Sequence, residues 1–475
     1  MEKTSVAQSI VSQLWQDFGL DPSAMHRLEL PQGKAMLSSS FALSELAQGC
    51  IGASALIASE VHRTRKQAHS ESWQEGKVQV PLNAAEAECT ALFTINGRSP
   101  EAWAKYSGVY KCQDGYIRVH ANFDHHRDAF LGMIDLVAAD SCSPEQVKHR
   151  LLSYPAQELE DRAANCGAIV AKMRSPEAWQ GHPQALASAK LPLLQIEKIA
   201  DSPPITLPGN AKRPLSEIKA LDLTRILAGP VATRTLAAYG AKVLSVNGPG
   251  LPNIDHVTDT GRGKRSCLLN LKQASGRDSL LDLVSDSDMF VQSYRPGSLE
   301  KLGLDVEFLC KHKPGLIYAE LSAFGHLGPW AKMRGFDSIV QTACGFNWAE
   351  SVAYDSSAAS TELPMPKAFP VQILDFATGF LIAFGCQVAL LKRAHEGGSW
   401  RVRCSLLQTA NFLRSLGPSS LQTMNSGQNF RSFLQPYKCD YGELKAMPHA
   451  AEFNGASCVF EQASVKPGAS GACWW

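Results

Sequence analysis

From residue 218 onward the chain repeats one unit, a short and almost continuously apolar run followed by a helical pattern. The runs are 218–224, 241–246, 266–271, 289–293 and 315–321, and helical patterns over 230–239, 274–285 and 298–312 lie between several of them. A strand that is apolar on both sides must be covered on both faces, and crossover helices do this. The spacing therefore predicts an α/β domain built on an open parallel sheet. In such sheets ligands bind beyond the carboxyl ends of the strands, which directs attention to the loops that follow these runs.

The rest of the chain divides around this unit. At 475 residues, two to four domains are expected. Residues 1–30 read as an amphipathic helix and a turn, 41–65 as a helix rich in small residues, 77–82 as a short strand and 83–93 as a helix. A compact α+β unit is expected over about 101–197. It has a hairpin around Gln113-Asp114-Gly115, helices over 127–139, 145–152 and 156–166, and a capped helix start at Ser175. Residues 198–215 carry Pro203, Pro204, Pro208 and Pro214 and read as a linker, 216–415 as the α/β domain, and 416–475 as an aperiodic tail, poorly ordered or loosely attached. There is also an internal repeat. Glu45-Leu-Ala-Gln-Gly49 matches Asp375-Phe-Ala-Thr-Gly379, and in each copy a small-residue helix, a basic end, a short β-rich run and a second helix follow. Glu45 takes the place of Asp375, so the first half, 1–197, reads as a degenerate copy.

Composition removes several classes of function. A net charge of +1 and no basic stripe give no footprint for nucleic acid or an acidic membrane surface. The 13 cysteines include no C-x-x-C pair, which argues against structural zinc and a disulfide scaffold. The longest apolar run, 379–391, is too short and interrupted to span a bilayer. The first residues do not read as a signal or transit peptide. The cytoplasm is the expected compartment, with mitochondrion and peroxisome left open.

Asp375 stands alone between an apolar approach (Val371, Ile373, Leu374) and an apolar helical run to Leu391. Such an acid either caps a helix or is a reagent, because apolar surroundings strip its water and raise its pKa. The turn Leu221-Asp-Leu-Thr-Arg-Ile-Leu-Ala-Gly-Pro230 places Pro230 as a first helical residue, with free N–H groups beyond it for an anion. It is neither a dinucleotide fingerprint nor a Walker loop. Cations collect in neighbouring loops: Gly263-Lys-Arg-Ser266, Tyr294-Arg-Pro-Gly297 with Lys301, and Lys332-Met-Arg334. Loops of this kind are where phosphates dock.

These segments, with Gly240-Ala-Lys-Val-Leu244, Leu302-Gly-Leu304, Ser322-Ala-Phe-Gly-His-Leu-Gly-Pro329, Arg334-Gly-Phe-Asp337 and Leu374-Asp375, resemble in order the family III CoA-transferases, the CaiB/BaiF family, over about 218–411. The resemblance implies a Rossmann-like sheet and a catalytic aspartate at Asp375. That residue would attack an acyl-CoA and pass the CoA, through an aspartyl-CoA thioester, to a carboxylic acid acceptor. It also implies CoA contacts near Ile226, Leu227, Ala228, Ser293, Gly297, Lys301 and Arg334, to which Lys264, Arg265 and Arg295 are added as cations. Acyl-CoA and an acid are the implied partners, coenzyme A enters as a substrate, no tightly bound cofactor or metal is expected, and a homodimer is left open. Gly108-Val-Tyr-Lys-Cys-Gln-Asp-Gly115 and Ser175-Pro-Glu-Ala-Trp-Gln-Gly-His-Pro183 look like the family's small domain, placed here before the sheet rather than after it. Two other readings stay open. An α-methylacyl-CoA racemase of the same family would carry a His-Asp dipeptide where this chain has Phe336-Asp337. A non-catalytic acyl-CoA-binding protein would fit the lack of a recognisable glycine-rich loop.

Overall fold

Residues 5–72, 76–136, 142–251, 253–355, 363–419 and 429–475 are described by a computed structural model. Seven strands form the central sheet in the spatial order Lys264–Leu268, Lys242–Asn247, Lys219–Leu223, Met289–Gln292, Ile317–Ser322, Ser399–Ser405 and Gln195–Ala200. The first six are parallel and the last is antiparallel. Numbered along the chain, the parallel strands take the order 3-2-1-4-5-6, the doubly wound arrangement. The five runs expected from sequence are all present. Ser399–Ser405 adds a sixth, and Gln195–Ala200 is an edge strand reaching into the expected linker.

Both faces are covered, as the apolar runs require. Leu221, Leu223, Leu244, Val246, Phe290 and Tyr318 point to one side, under helices Ala274–Ser285 and Val306–His312. Ala220, Val243, Val291, Ala319 and Val402 point to the other, under Ala228–Ala238 and the 24-residue helix Ile373–Glu396. By length and composition alone the latter helix could cross a membrane, but 94% of its apolar window is buried inside the protein. Leu43–Ala68, itself covered by Val6–Asp17, packs along it. These two long helices are the core of the internal repeat. Each has its acid at the third position, and each is entered through a residue of nearly the same backbone conformation, Ala42 (φ −75°, ψ 57°) and Gln372 (φ −84°, ψ 63°).

The α+β unit forms as expected. Strands Gly108–Cys112 and Gly115–Val119 make the hairpin, Val170–Lys172 joins them, and Asp124–Met133, Pro144–Leu151 and Ala156–Cys166 pack on a separate core. The C-terminal segment differs from the expectation of a loosely attached tail. Leu444–Ala446 pairs with Phe93–Ile95 and with Gln435–Tyr437, and Glu452–Phe453 pairs with Val78–Gln79. Trp474 and Trp475 pack against the far face of the main sheet. The proline-rich stretch is likewise held, because Arg65, buried at the end of Leu43–Ala68, donates to the carbonyls of Pro208 and Pro214 at 2.8 Å each.

Candidate active site

The doubly wound order reverses between Lys219–Leu223 and Met289–Gln292, so the loops leaving these two strands part and open a crevice. A cleft of about 350 Å³ lies there. Its sheet side is Arg225, Ile226, Ser293, Tyr294 and Arg295, with Arg334 and Phe336 above, and the α+β unit closes it with Phe123, His126 and Ile169. Positive charge dominates. Burial, followed by His125, Arg334, Arg225 and Arg295, pushes His126 down to about 3. A second hollow, of about 480 Å³, continues past Arg295 and Arg334 to Lys332. Among the described residues no carboxylate lines the first cleft.

A cavity of about 450 Å³ adjoins it, sharing Ile226 and Phe336 as common wall. Ile226 has φ +74°, in the left-handed region that a β-branched side chain rarely enters, and this strained residue stands where the two spaces meet. Asp375 is on the wall of the second cavity, with Trp103, His120, Leu227, Val371 and Phe376.

Asp375 does not cap its helix. It is the third residue of Ile373–Glu396, and Gln372 holds the cap position without a side-chain bond. Its carboxyl has little solvent, at 8% exposure for the residue, and its own N–H donates to Asp337 Oδ2 at 3.0 Å. Asp337 is fully buried at the first position of Asp337–Ala343 and accepts from Gln341 as well. Burial, partly offset by these donors and Arg118, leaves the Asp337 carboxyl raised to about 6. Burial and the Asp337 carboxylate push Asp375 well above the usual carboxylate range. Two carboxylates with opposed surroundings result: Asp337 is tied down by donors, and Asp375 is desolvated and free of them.

The residues expected to form the site separate into two groups. Asp375, Ile226, Leu227, Ser293, Arg295 and Arg334 line the two spaces, and Ser293 Oγ accepts the Arg225 N–H at 3.2 Å. Ala228 is buried as the first residue of Ala228–Ala238, which begins two residues before the expected Pro230. Gly297 (φ +87°) forms a turn, and Lys301 is exposed on the short helical turn Glu300–Leu302. Lys264 is buried in the interior, paired with Asp222 at 2.9 Å and bonded to Thr233 Oγ1 and the Pro230 carbonyl. Arg265 lies over the Trp475 ring at 4.3 Å. Arg225 and Asp337, although within quoted motifs, were given no role by sequence reasoning. Trp103, His120, His126 and Ile169 were missed, because nothing local indicates that the α+β unit closes over the sheet. Among the described residues no group of His, Cys, Asp and Glu is assembled to hold a metal.

A doubly wound sheet with a cationic switch-point cleft, next to a buried carboxylate at the start of a helix, defines an α/β protein with its candidate site at the carboxyl ends of the strands. Residues 215–442, a little under half of the chain, match the model of CoA-transferase family III. The chain is 34% identical over 216 residues to an acetyl-coenzyme A transferase of Hypoxylon pulicicidum, covering 44% of this chain and 35% of that protein. It is 31% identical over 214 residues to the mouse succinyl-CoA:glutarate CoA-transferase, covering 42% and 47%. Among solved structures, a CAIB/BAIF family protein from Brucella suis is 28% identical, with a TM-score of 0.37, covering 49% of this chain and 65% of that one. The chain spans from about a third to a little over half the length of the first curated relatives it matches.

Proposed function

We propose that the protein transfers coenzyme A from an acyl-CoA thioester to a carboxylic acid through Asp375. The observation that carries this reading is the junction of two unlike spaces across Ile226 and Phe336, one cationic and one holding a desolvated carboxylate. Arg225, Arg295 and Arg334 suit the phosphates of CoA. The thioester carbonyl would then lie at the junction, and the acyl group beside Asp375.

The chemistry balances without an external proton. An Asp375 oxygen attacks the thioester carbonyl carbon, the C–S bond breaks, and the electron pair leaves on the CoA thiolate, giving an acyl-aspartyl anhydride. The thiolate attacks the Asp375 carbonyl, so the first acid departs as a carboxylate and an aspartyl-CoA thioester remains. The acceptor carboxylate repeats the two steps in reverse order, leaving acceptor-CoA and a free Asp375. Asp337 fixes the backbone of the nucleophile through the 3.0 Å bond, and its charge raises the basicity of the attacking oxygen. A second reading has one observation in its favour: His120 shares the cavity with Asp375 and could serve a racemase as the other base. Burial, followed by His126 and Arg118, pushes its ring down to about 3, which makes it a poor proton acceptor near neutral pH, and transfer is favoured.

Incubation with an acyl-CoA followed by hydroxylamine should leave a hydroxamate on Asp375, detected by peptide mass spectrometry. Asp375→Asn should retain its circular dichroism spectrum and lose more than about a thousandfold in kcat. Binding of CoA with no trapping by any thioester tried would reject the transferase reading, and deuterium wash-in at the α-carbon without CoA exchange would support the racemase.

A further inference from the structure

The wall of the Asp375 cavity is mixed. Trp103, Leu227, Phe336, Val371 and Phe376 form its aromatic and aliphatic part, and Thr90, Asn122, Asn253 and Gln372 an uncharged polar part. Besides Asp375, its titratable side chains are Glu101 and Asp255, both exposed at the rim, and the imidazoles of His120 and His256. Among the described residues no Lys or Arg lines it. Arg118, the cation behind this wall, has its guanidinium on the Trp103 ring at 4.2 Å.

Neither histidine supplies the missing positive charge. Burial pushes both down, His120 to about 3, so both rings are neutral near pH 7. The His120 ring is also fixed in place. It stacks on Phe336 with centroids 3.7 Å apart and planes 16° apart, and meets the Trp103 ring edge-on at 5.9 Å. Its Nδ1 is buried and has no hydrogen-bond partner within the protein. A second carboxylate on the acyl chain would enter a partly apolar space with two carboxylates at its mouth and, among the described residues, no cation in its lining to pair with. The reactive carboxylate of an acceptor passes the same rim, but Asp375 is then an uncharged thioester, and the acceptor's charge moves to the departing CoA thiolate as it attacks.

Resting on the transferase reading above, we propose that the acyl group carried in this cavity is uncharged: the acid exchanged is a monocarboxylic acid with an aliphatic or aromatic chain, and dicarboxylic acids are discriminated against. Specificity then resides in the α+β unit, through Glu101, Trp103 and His120, rather than in the sheet.

The test uses the full chain as Asp375→Asn, which binds without turnover, and measures affinities for free CoA, isobutyryl-CoA, benzoyl-CoA and succinyl-CoA by titration calorimetry at 0.15 M salt. Isobutyryl-CoA or benzoyl-CoA should bind at least about tenfold tighter than succinyl-CoA, a difference the size of one unpaired charge at a partly solvated site. Adding Glu101→Lys, an exposed change, should narrow that gap severalfold. Succinyl-CoA binding as tightly as the neutral thioesters, or more so, overturns the proposal and leaves the transferase reading intact. Failure to bind free CoA overturns both.

Discussion

A carboxylate must be ionised to attack a carbonyl, and at Asp375 burial and the Asp337 charge both oppose ionisation. Activity should therefore rise with pH through a value above the ordinary carboxylate range. Asp337→Asn removes the like charge while keeping an acceptor for the Asp375 N–H. The acid limb of its kcat profile should move to lower pH, which a purely structural substitution would not produce. Stability gives a separate reading. The Asp337 carboxyl, raised to about 6 in the folded protein, favours folding fully below its ordinary value near 3.8, and this contribution is lost as pH rises through about 6. The urea midpoint of Asp337→Asn relative to wild type should accordingly rise between pH 4 and pH 7.

At the scale of elements, the two long helices of the repeat each carry a glycine four residues after the acid. On Gly379 a Cβ would stand 2.6 Å from the Ala228 carbonyl oxygen, and on Gly49 it would stand 2.9 Å from Ile10 side-chain atoms. Helix propensity favours alanine over glycine by about 1 kcal/mol, but a backbone carbonyl cannot step aside as a side chain can. Gly379→Ala should therefore destabilise by roughly 1–3 kcal/mol in urea and weaken CoA binding, because Ala228 follows Ile226 and Leu227 at the junction of the two spaces. Gly49→Ala, against a movable side chain, should cost less. Elements also show what the sequence could disclose. Strands Lys219–Leu223 and Met289–Gln292 are buried on both sides and announce themselves by continuous apolar runs. Gln195–Ala200 is half exposed along its length and alternates weakly, so it reads as linker. Asp375 was legible because its neighbours in sequence are also its neighbours in space. Trp103 and His120 were not, since their place over Asp375 depends on packing between elements more than 250 residues apart.

Across the whole molecule, three distant segments meet in one buried charge cluster. Glu88 accepts from His449 Nδ1 and Arg234 at 2.9 Å and from the Ala450 N–H at 2.8 Å, while Arg234 and Arg262 share Asp259. Burial alone would raise the Glu88 carboxyl, but His449, Arg234 and Ala450 outweigh it and hold it at about 2. The stability this contributes is present above the ordinary value near 4.5 and is lost as pH falls towards about 2. His449→Ala should cost roughly 1–3 kcal/mol at pH 7 by urea denaturation, and the variant should unfold at a higher pH than wild type on acid titration. The segment that lacked any periodicity is thus held by short ladders and by polar contacts such as these, and single polar contacts are a kind of signal that hydrophobic patterning does not contain.

The strand Gln195–Ala200 has one further consequence, in the order of events during synthesis. Among the described residues its partner in the sheet is Ser399–Ser405, which leaves the ribosome about 200 residues later. At cellular elongation rates that delay is on the order of 10–40 s. Throughout it the strand's backbone donors and acceptors have no native partner, and the last parallel strand must enter between two segments already made. The half-polar sequence that hid this strand from prediction also keeps it soluble while it waits, since an apolar edge exposed for so long would invite pairing with another chain.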